Sequence, residues 1–176
     1  IGAVSVPIFA NISTKNLNYE IDDSNIKYLF TDSASQIKNL QKDITIISTT
    51  KQNESHLVLD TLFEQGEKLF QNKRYDLDKL ISEVNEDDIF SVVYTSGSTG
   101  VPKGVELTHK NIVSQLHNIN RDYDIDDKDR ALSLLPLAHI FERTVMSFYL
   151  SRGVSIYFVD ELPNVGLLMK EVKPTM

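Results

Sequence analysis

Short apolar runs that are typical of buried β-strands alternate along the chain with longer stretches whose apolar residues recur at helical spacing. The strand-like runs cover residues 3–8, 27–31, 43–48, 89–94, 131–135 and 154–159. Because strands that are separated by helices pair side by side in the same direction, this order predicts an α/β fold. We expect a mostly parallel sheet with helices on its faces.

Helices are expected between these runs, and three of them have a polar residue suited to begin a helix. Ser13, Ser33 and Thr108 can each accept a hydrogen bond from the first helical turn. The helical patterns cover residues 13–21, 33–40, 59–70, 77–84, 108–119, 139–150 and 163–172, and a polar loop is expected at 50–56. No repeat or linker divides the chain, so residues 1–176 are predicted to form one partial domain without an internal boundary.

The composition excludes several classes of function. The chain of 176 residues has a net charge of −7, a pI near 5.0 and no basic stripe, which argues against nucleic acid as a partner. It contains no cysteine, so disulfides, thiol nucleophiles and thiolate metal sites are ruled out. Its four histidines lack the spacing of metal ligands. An anionic ligand is still allowed, because one local loop can bind phosphate whatever the net charge.

The segment from Tyr94 to Gly104 concentrates the residue types that bind phosphate. It follows a strand-like run and contains three glycines, four serine or threonine hydroxyls and one lysine, Lys103. Glycines let the backbone approach a ligand, hydroxyls and N–H groups donate to phosphate oxygens, and the lysine adds positive charge. The segment is not a Walker A loop, because Pro102 stands where the second glycine belongs and Gly104 replaces the magnesium-binding hydroxyl.

This loop resembles the signature loop of the adenylate-forming family, which comprises acyl-CoA synthetases, luciferases and the adenylation domains of peptide synthetases. The resemblance continues through residues 105–111, and residues 1–8 are similar to a segment that lies well inside family members. It implies that the loop holds the phosphates of ATP. The residues that it assigns to ATP binding are Thr95, Ser96, Gly97, Ser98, Thr99, Gly100 and Lys103. Ser98 is also expected to be a weak ligand of Mg²⁺, and Lys103 to offset the charge of the pyrophosphate leaving group as a catalytic residue.

Residues 135–143 narrow the resemblance to long-chain fatty acyl-CoA synthetases. They read Leu-Pro-Leu-Ala-His-Ile-Phe-Glu-Arg, from a strand end into a helix start. Taken alone, a single histidine at a helix start is usually structural or a cap. The resemblance instead implies a catalytic role for His139 beside the acyl pocket, near the reacting carboxylate. An apolar stripe follows and is expected to pack mainly in the core, with one or two members lining an acyl tunnel: Phe141, Val145, Phe148 and Tyr149.

The resemblance implies an enzyme that uses ATP, Mg²⁺, a fatty acid and CoA. The acid and ATP would give acyl-adenylate and pyrophosphate, and CoA would then displace AMP to form acyl-CoA. A cytoplasmic location is expected, with peripheral contact with the inner face of the membrane because the substrate partitions into lipid. Two alternatives stay open. One is another adenylate-forming enzyme, such as a short-chain acyl-CoA synthetase or a peptide-synthetase adenylation domain, and the other is a non-catalytic binding or scaffold member.

The two ends of the sequence lead us to expect an internal fragment of an N-terminal AMP-binding domain. The chain begins at Ile1, inside a strand-like run, and stops at Met176. In the family, the motifs that bind adenine and ribose come later, and the catalytic lysine lies in a separate C-terminal domain. We therefore expect these 176 residues alone to form no acyl-adenylate and to bind ATP weakly.

Overall fold

Strands and helices alternate in the computed structural model, which describes residues 2–50, 56–72, 75–97, 100–159 and 162–176. The elements in chain order are α1 (Thr14–Ser24), β1 (Tyr28–Phe30), α2 (Ala34–Lys38), β2 (Thr45–Ser48), β3 (Leu57–Val58), α3 (Leu59–Gln71), α4 (Leu77–Ser82), β4 (Ile89–Ser96), β5 (Pro102–Thr108), α5 (His109–Asp122), β6 (Arg130–Ser133), α6 (Ile140–Arg152), β7 (Ser155–Phe158) and α7 (Val165–Val172), which a short 3₁₀ turn precedes. The α/β class is confirmed. Most of the predicted loop at 50–56 lies outside the described residues.

Within the described residues, two of the three sheets are parallel, as the alternation predicts. β1, β2 and β3 form one sheet in that order, and β6 pairs with β7 in another. The third sheet is an antiparallel hairpin of β4 and β5, and the sequence did not predict β5. Its residues, Pro-Lys-Gly-Val-Glu-Leu-Thr, are mostly polar or turn-forming and mostly exposed. Their pairing with the buried strand β4, rather than any apolar pattern of their own, makes them a strand.

The strand expected at residues 3–8 is reduced to a single bridge. Ser5 pairs with Ser91 of β4 in the parallel sense, and the Ser5 N–H donates to the carbonyl of Phe90 at 3.2 Å. The Val92 N–H donates to the Ser5 carbonyl at 3.0 Å. Pro7 has no N–H with which to extend such a ladder, so the segment runs beside β4 without becoming a full strand.

The three predicted helix starts are confirmed. Ser13 and Ser33 accept hydrogen bonds from backbone N–H groups in the first turns of α1 and α2. Thr108 forms a reciprocal capping box with Asn111 at the start of α5. Each cap satisfies N–H groups that have no partner inside the helix, and each therefore fixes where the helix begins.

Two apolar clusters hold these layers together. One packs α1 against β1 through Leu17, Ile21 and Leu29. The other joins α6 to β6 through Phe148 and Ala131, with Ile125 and Val154 beside them. Of the stripe expected to pack mainly in the core, Phe148 is buried, Val145 and Tyr149 are half-buried, and Phe141 is exposed. None of the helices in the described part of the chain combines the length and apolar character needed to span a lipid bilayer.

Candidate functional site

The glycine-rich segment is the turn of the β4–β5 hairpin. The register pairs Thr95 with Lys103 and Ser96 with Pro102, so residues 97–101 connect the two strands. A ligand at this turn would meet the hydroxyls of Thr95 and Ser96, which are both exposed. Ser98 and Thr99 lie outside the described residues, so their predicted roles toward phosphate and Mg²⁺ stay predictions.

Two glycines give the turn its shape. A Cβ atom added at Gly97 would lie 2.8 Å from the carbonyl oxygen of Val101, closer than side chains pack against backbone. Gly100 has a φ angle of +77°, which favours glycine, and its N–H donates to the carbonyl of Gly97 at 2.9 Å. The backbone can therefore close the turn here only because both positions lack a side chain.

The side chain of Lys103 lies over this turn. Its Cε would be 3.4 Å from a Cβ atom at Gly97, so the aliphatic part of the lysine covers the glycine. Lys103 is exposed, and it forms no ion pair with another described residue. Its charge is therefore available to an anionic ligand at the turn.

Tyr94 fixes the end of β4 to α1. Its hydroxyl donates a hydrogen bond to the Asp23 carboxylate at 2.6 Å, and burial, together with that carboxylate, raises the pKa of Tyr94. Its ring lies against the backbone of Gly104, where an added Cβ atom would be 3.2 Å from the Tyr94 Cζ. The strand that leads into the turn is thus held on both sides.

A cleft of about 450 Å³ opens between α1, the hairpin and the start of α6. It brings Thr95 and Ser96 to the same cavity as His139, although 43 residues of sequence separate Ser96 from His139. Gly97, Gly100 and Lys103 do not line it. The lining residues are Phe9, Asn11, Ile12, Ser13, Asn16, Glu20, Val93, Tyr94, Thr95, Ser96, Pro102, Ala138, His139 and Ile140.

His139 stands at the mouth of this cleft, immediately before α6. Its side chain makes no capping hydrogen bond, and its ring packs edge-on against Phe9 with the centroids 5.1 Å apart. Its backbone N–H donates to the Pro136 carbonyl at 2.9 Å, and its carbonyl accepts a hydrogen bond from the Arg143 N–H at 3.1 Å. His139 therefore does not cap α6 through its side chain, and its exposed ring has a structural contact with Phe9.

Arg143 ties the first turn of α6 to β4. Its Nη2 donates to the Ser5 hydroxyl at 2.7 Å, and its guanidinium carbon lies 5.7 Å from the centre of the Phe90 ring. Ser91, which is fully buried, donates in turn to the Ser5 carbonyl at 2.8 Å. These contacts join α6, which His139 precedes, to β4, which carries Thr95. Sequence reasoning gave Arg143 no role beyond its place in the motif.

The comparison with known proteins decides the family. A sequence model described as AMP-binding enzyme matches residues 1–176. The chain belongs to the AMP-binding enzyme family. Its similarity to named relatives is modest: it is 31% identical to long-chain-fatty-acid–CoA ligase 5 of Rattus norvegicus over 98% of the chain and 28% of the relative. It is 31% identical to fatty acyl-CoA synthetase A of Dictyostelium discoideum over 98% of the chain and 27% of the relative.

Solved structures of adenylate-forming enzymes share the fold of this AMP-binding chain. The inhibitor-bound N-terminal domain of FACL13 from Mycobacterium tuberculosis matches with a TM-score of 0.72 and 28% identity, over 97% of the chain and 42% of that structure. An o-succinylbenzoate CoA synthetase from Bacillus subtilis, in complex with ATP and magnesium, matches with a TM-score of 0.70 and 22% identity, over 98% of the chain and 33% of that structure. The chain spans less than a third of the length of the curated relatives just named.

One cleft residue of this AMP-binding chain was not predicted from the sequence. Glu20 on α1 is 5% exposed, and its Oε2 has no hydrogen-bond partner among the described residues. Burial raises the pKa of this carboxyl from its ordinary value of 4.5 to about 7. Its spacing in the sequence could have indicated that Glu20 is buried. Glu20 lies three residues after Leu17 and beside Ile21, on the face of α1 that packs into the core.

Proposed function

We propose that the protein carrying this chain is a long-chain fatty acid–CoA ligase. It would join a fatty acid to AMP at the expense of ATP, release pyrophosphate, and then transfer the acyl group to CoA. The observation that carries this proposal is the cleft that Thr95, Ser96 and His139 line together. Family membership and the names of the relatives support it.

In this proposal the hairpin turn binds the phosphates of ATP. Thr95, Ser96, Ser98 and Thr99 donate to phosphate oxygens, while Gly97 and Gly100 let the backbone approach them. Lys103 offsets the charge that develops on pyrophosphate as the bond to the α-phosphorus breaks. A lysine above the turn suits this role because it acts as a point charge and needs no fixed fork geometry.

Magnesium enters this proposal as part of the substrate MgATP. Within the described residues, no group of three or more histidine or acidic side chains could hold a metal ion. Mg²⁺ in such sites keeps several waters and is held by substrate phosphates and one or two carboxylates, so a hydroxyl of this chain would be one ligand among several. Ser98 is the residue that we propose for it.

His139 is the proposed residue beside the reacting carboxylate. It shares the cleft with the hydroxyls of the turn, so a carboxylate next to its ring would face a phosphate bound at Thr95 and Ser96. The carboxylate oxygen would attack the α-phosphorus, and pyrophosphate would leave. Holding both reactants in one cleft removes much of the entropic cost of their meeting.

Substrate class can be tested by ATP–pyrophosphate exchange on the full-length protein, with fatty acids of several lengths, acetate and a set of amino acids. We expect exchange that depends on long fatty acids. Exchange with amino acids or acetate alone would still agree with ATP binding at the hairpin turn, but it would contradict the role of His139 beside a fatty acid. Absence of exchange with every acid would favour a non-catalytic binding protein.

We also propose that residues 1–176 alone do not make acyl-adenylate. In the same assay, the purified 176-residue chain should give exchange at the background level of a buffer control. Turnover by this chain would show that the adenylation site is complete within it.

A cytoplasmic location with peripheral membrane contact is part of the proposal. Fractionation of cells with and without high-salt washing tests this location.

A further inference from the structure

Glu20 is an acidic residue in a cleft that we assign to anionic substrates. It lines the cavity together with Thr95, Ser96 and His139. Its side chain is 5% exposed, and its Oε2 is buried without a hydrogen-bond partner in the described part of the chain. A buried polar atom of this kind is rare in native structures and costs free energy unless a ligand satisfies it.

The surroundings of Glu20 offer no partner that would keep it ionised. Among the described residues, neither lysine nor arginine lines the cleft. Tyr94 and His139 are the other ionisable side chains that line the cleft, and residues 9–13 contribute none. The elements around the cleft also carry ionisable residues that do not line it: Lys15, Tyr19, Asp22 and Asp23 on α1, Lys103 and Glu106 on β5, and Glu142 and Arg143 in the first turn of α6. Asp23 already accepts a hydrogen bond from Tyr94, and burial is what raises the pKa of Glu20.

We propose that Glu20 is a ligand-binding residue that donates a hydrogen bond, as a neutral carboxylic acid, to an anionic oxygen of the substrate in this cleft. This inference rests on the proposed function, which places ATP and a fatty acid there. The oxygen belongs either to a phosphate of ATP or to the carboxylate of the fatty acid. An ionised Glu20 would repel both, whereas the protonated form satisfies its own orphaned oxygen and the ligand together.

A consequence is that ligand binding is coupled to proton uptake. The pKa of Glu20, about 7 without ligand, rises further when an anion lies beside it. The free protein therefore takes up close to one proton on binding near pH 8 and fewer at pH 6. Affinity for that ligand should fall about tenfold for each pH unit above 7.

Calorimetric titration of the full-length protein tests this. MgATP and palmitate are titrated separately at pH 6, 7 and 8, in two buffers whose ionisation enthalpies differ. Proton uptake with MgATP, with palmitate or with both supports the inference and identifies which oxygen Glu20 contacts. In Glu20→Gln, whose amide is a neutral donor of similar shape, binding should persist, the uptake should disappear, and the dissociation constants at pH 6 and 8 should agree.

A second variant separates Glu20 from the histidine in the same cleft. Because histidines in general change charge between pH 5 and 8, His139→Gln should retain the proton uptake per mole of ligand bound, even where it lowers the affinity. The inference is overturned if the uptake persists in Glu20→Gln or is absent in the wild-type protein. It is also overturned if affinity for MgATP rises with pH and falls in Glu20→Gln, since Glu20 would then be an ionised ligand of Mg²⁺. If neither ligand binds the wild-type protein, that result contradicts both this inference and the proposed function.

Discussion

At the scale of single residues, the cleft combines groups whose surroundings differ sharply. Thr95, Ser96 and His139 are exposed, whereas Glu20 is buried and its Oε2 has no hydrogen-bond partner among the described residues. Thr95, Ser96 and His139 could be predicted as site residues from the sequence, because they belong to the two motifs. Glu20 could not be predicted in this way. It lines the cleft only because the hairpin and the start of α6 lie beside α1, from which they are distant in sequence.

The buried carboxyl should make stability depend on pH. Below pH 4.5, Glu20 is protonated in the folded and the unfolded chain, and above that value the unfolded chain ionises first. Stability is therefore lost as pH rises toward 7, and Glu20→Gln should remove the loss. We expect the variant to be more stable than the wild-type protein by up to about 3 kcal/mol at pH 8, and the advantage to vanish near pH 4.

Urea unfolding at pH 4 and pH 8 measures this difference. Glu64 on α3 is exposed, so Glu64→Gln is the matched control and should differ little from the wild-type protein at either pH. Equal pH dependence for Glu20→Gln and the wild-type protein would mean that Glu20 is not the buried acid described above.

At the scale of elements, the β4–β5 hairpin positions the glycine-rich turn, and only half of it was predictable. The apolar run at 89–94 predicted β4. The polar sequence of β5 carries no strand pattern, and it becomes a strand because it pairs with β4 along its length, with one irregularity between Ile89 and Ser91. The segment at 3–8 shows the converse, since its apolar pattern predicted a strand and Pro7 limits it to one bridge.

A substitution in the turn should separate binding from folding. Gly97→Ala places a Cβ atom 2.8 Å from the Val101 carbonyl, so the turn must shift and Lys103 with it. We expect affinity for MgATP to fall at least tenfold, measured by calorimetric titration of the full-length protein. Gly66→Ala is the control, because a Cβ atom there meets nothing within 4 Å and alanine favours the helix α3 by up to about 1 kcal/mol. Equal affinities for the two variants would contradict the assigned role of the turn.

At the scale of the whole molecule, the cleft exists because distant parts of the chain are joined. Arg143 and Ser5 are 138 positions apart, and their hydrogen bond connects the first turn of α6 to the segment that runs beside β4. No local pattern encodes such a contact, which is why the α/β class was predictable and the cleft itself was not. Periodicity gave no reason to connect the two motifs, whereas family resemblance led us to expect that they act together.

Arg143→Lys should loosen this connection while keeping the positive charge. Lysine cannot reproduce the guanidinium that donates to Ser5 and lies over Phe90. We expect a loss of roughly 1–2 kcal/mol in the free energy of unfolding, measured by denaturant titration. Arg121→Lys, at an exposed position on α5, should leave stability within about 0.5 kcal/mol of the wild-type value. A loss no larger than that of Arg121→Lys would show that the contact is dispensable.

The most direct test of the central claim is palmitate-dependent ATP–pyrophosphate exchange by the full-length protein and two lysine variants. Lys103→Ala removes the charge above the turn, and Lys110→Ala removes a lysine whose Nζ lies 2.9 Å from the exposed Glu86 carboxylate. We expect exchange to fall on the order of 100-fold in Lys103→Ala and to be retained in Lys110→Ala. Equal exchange in the two variants, or exchange that does not depend on the fatty acid, would contradict it.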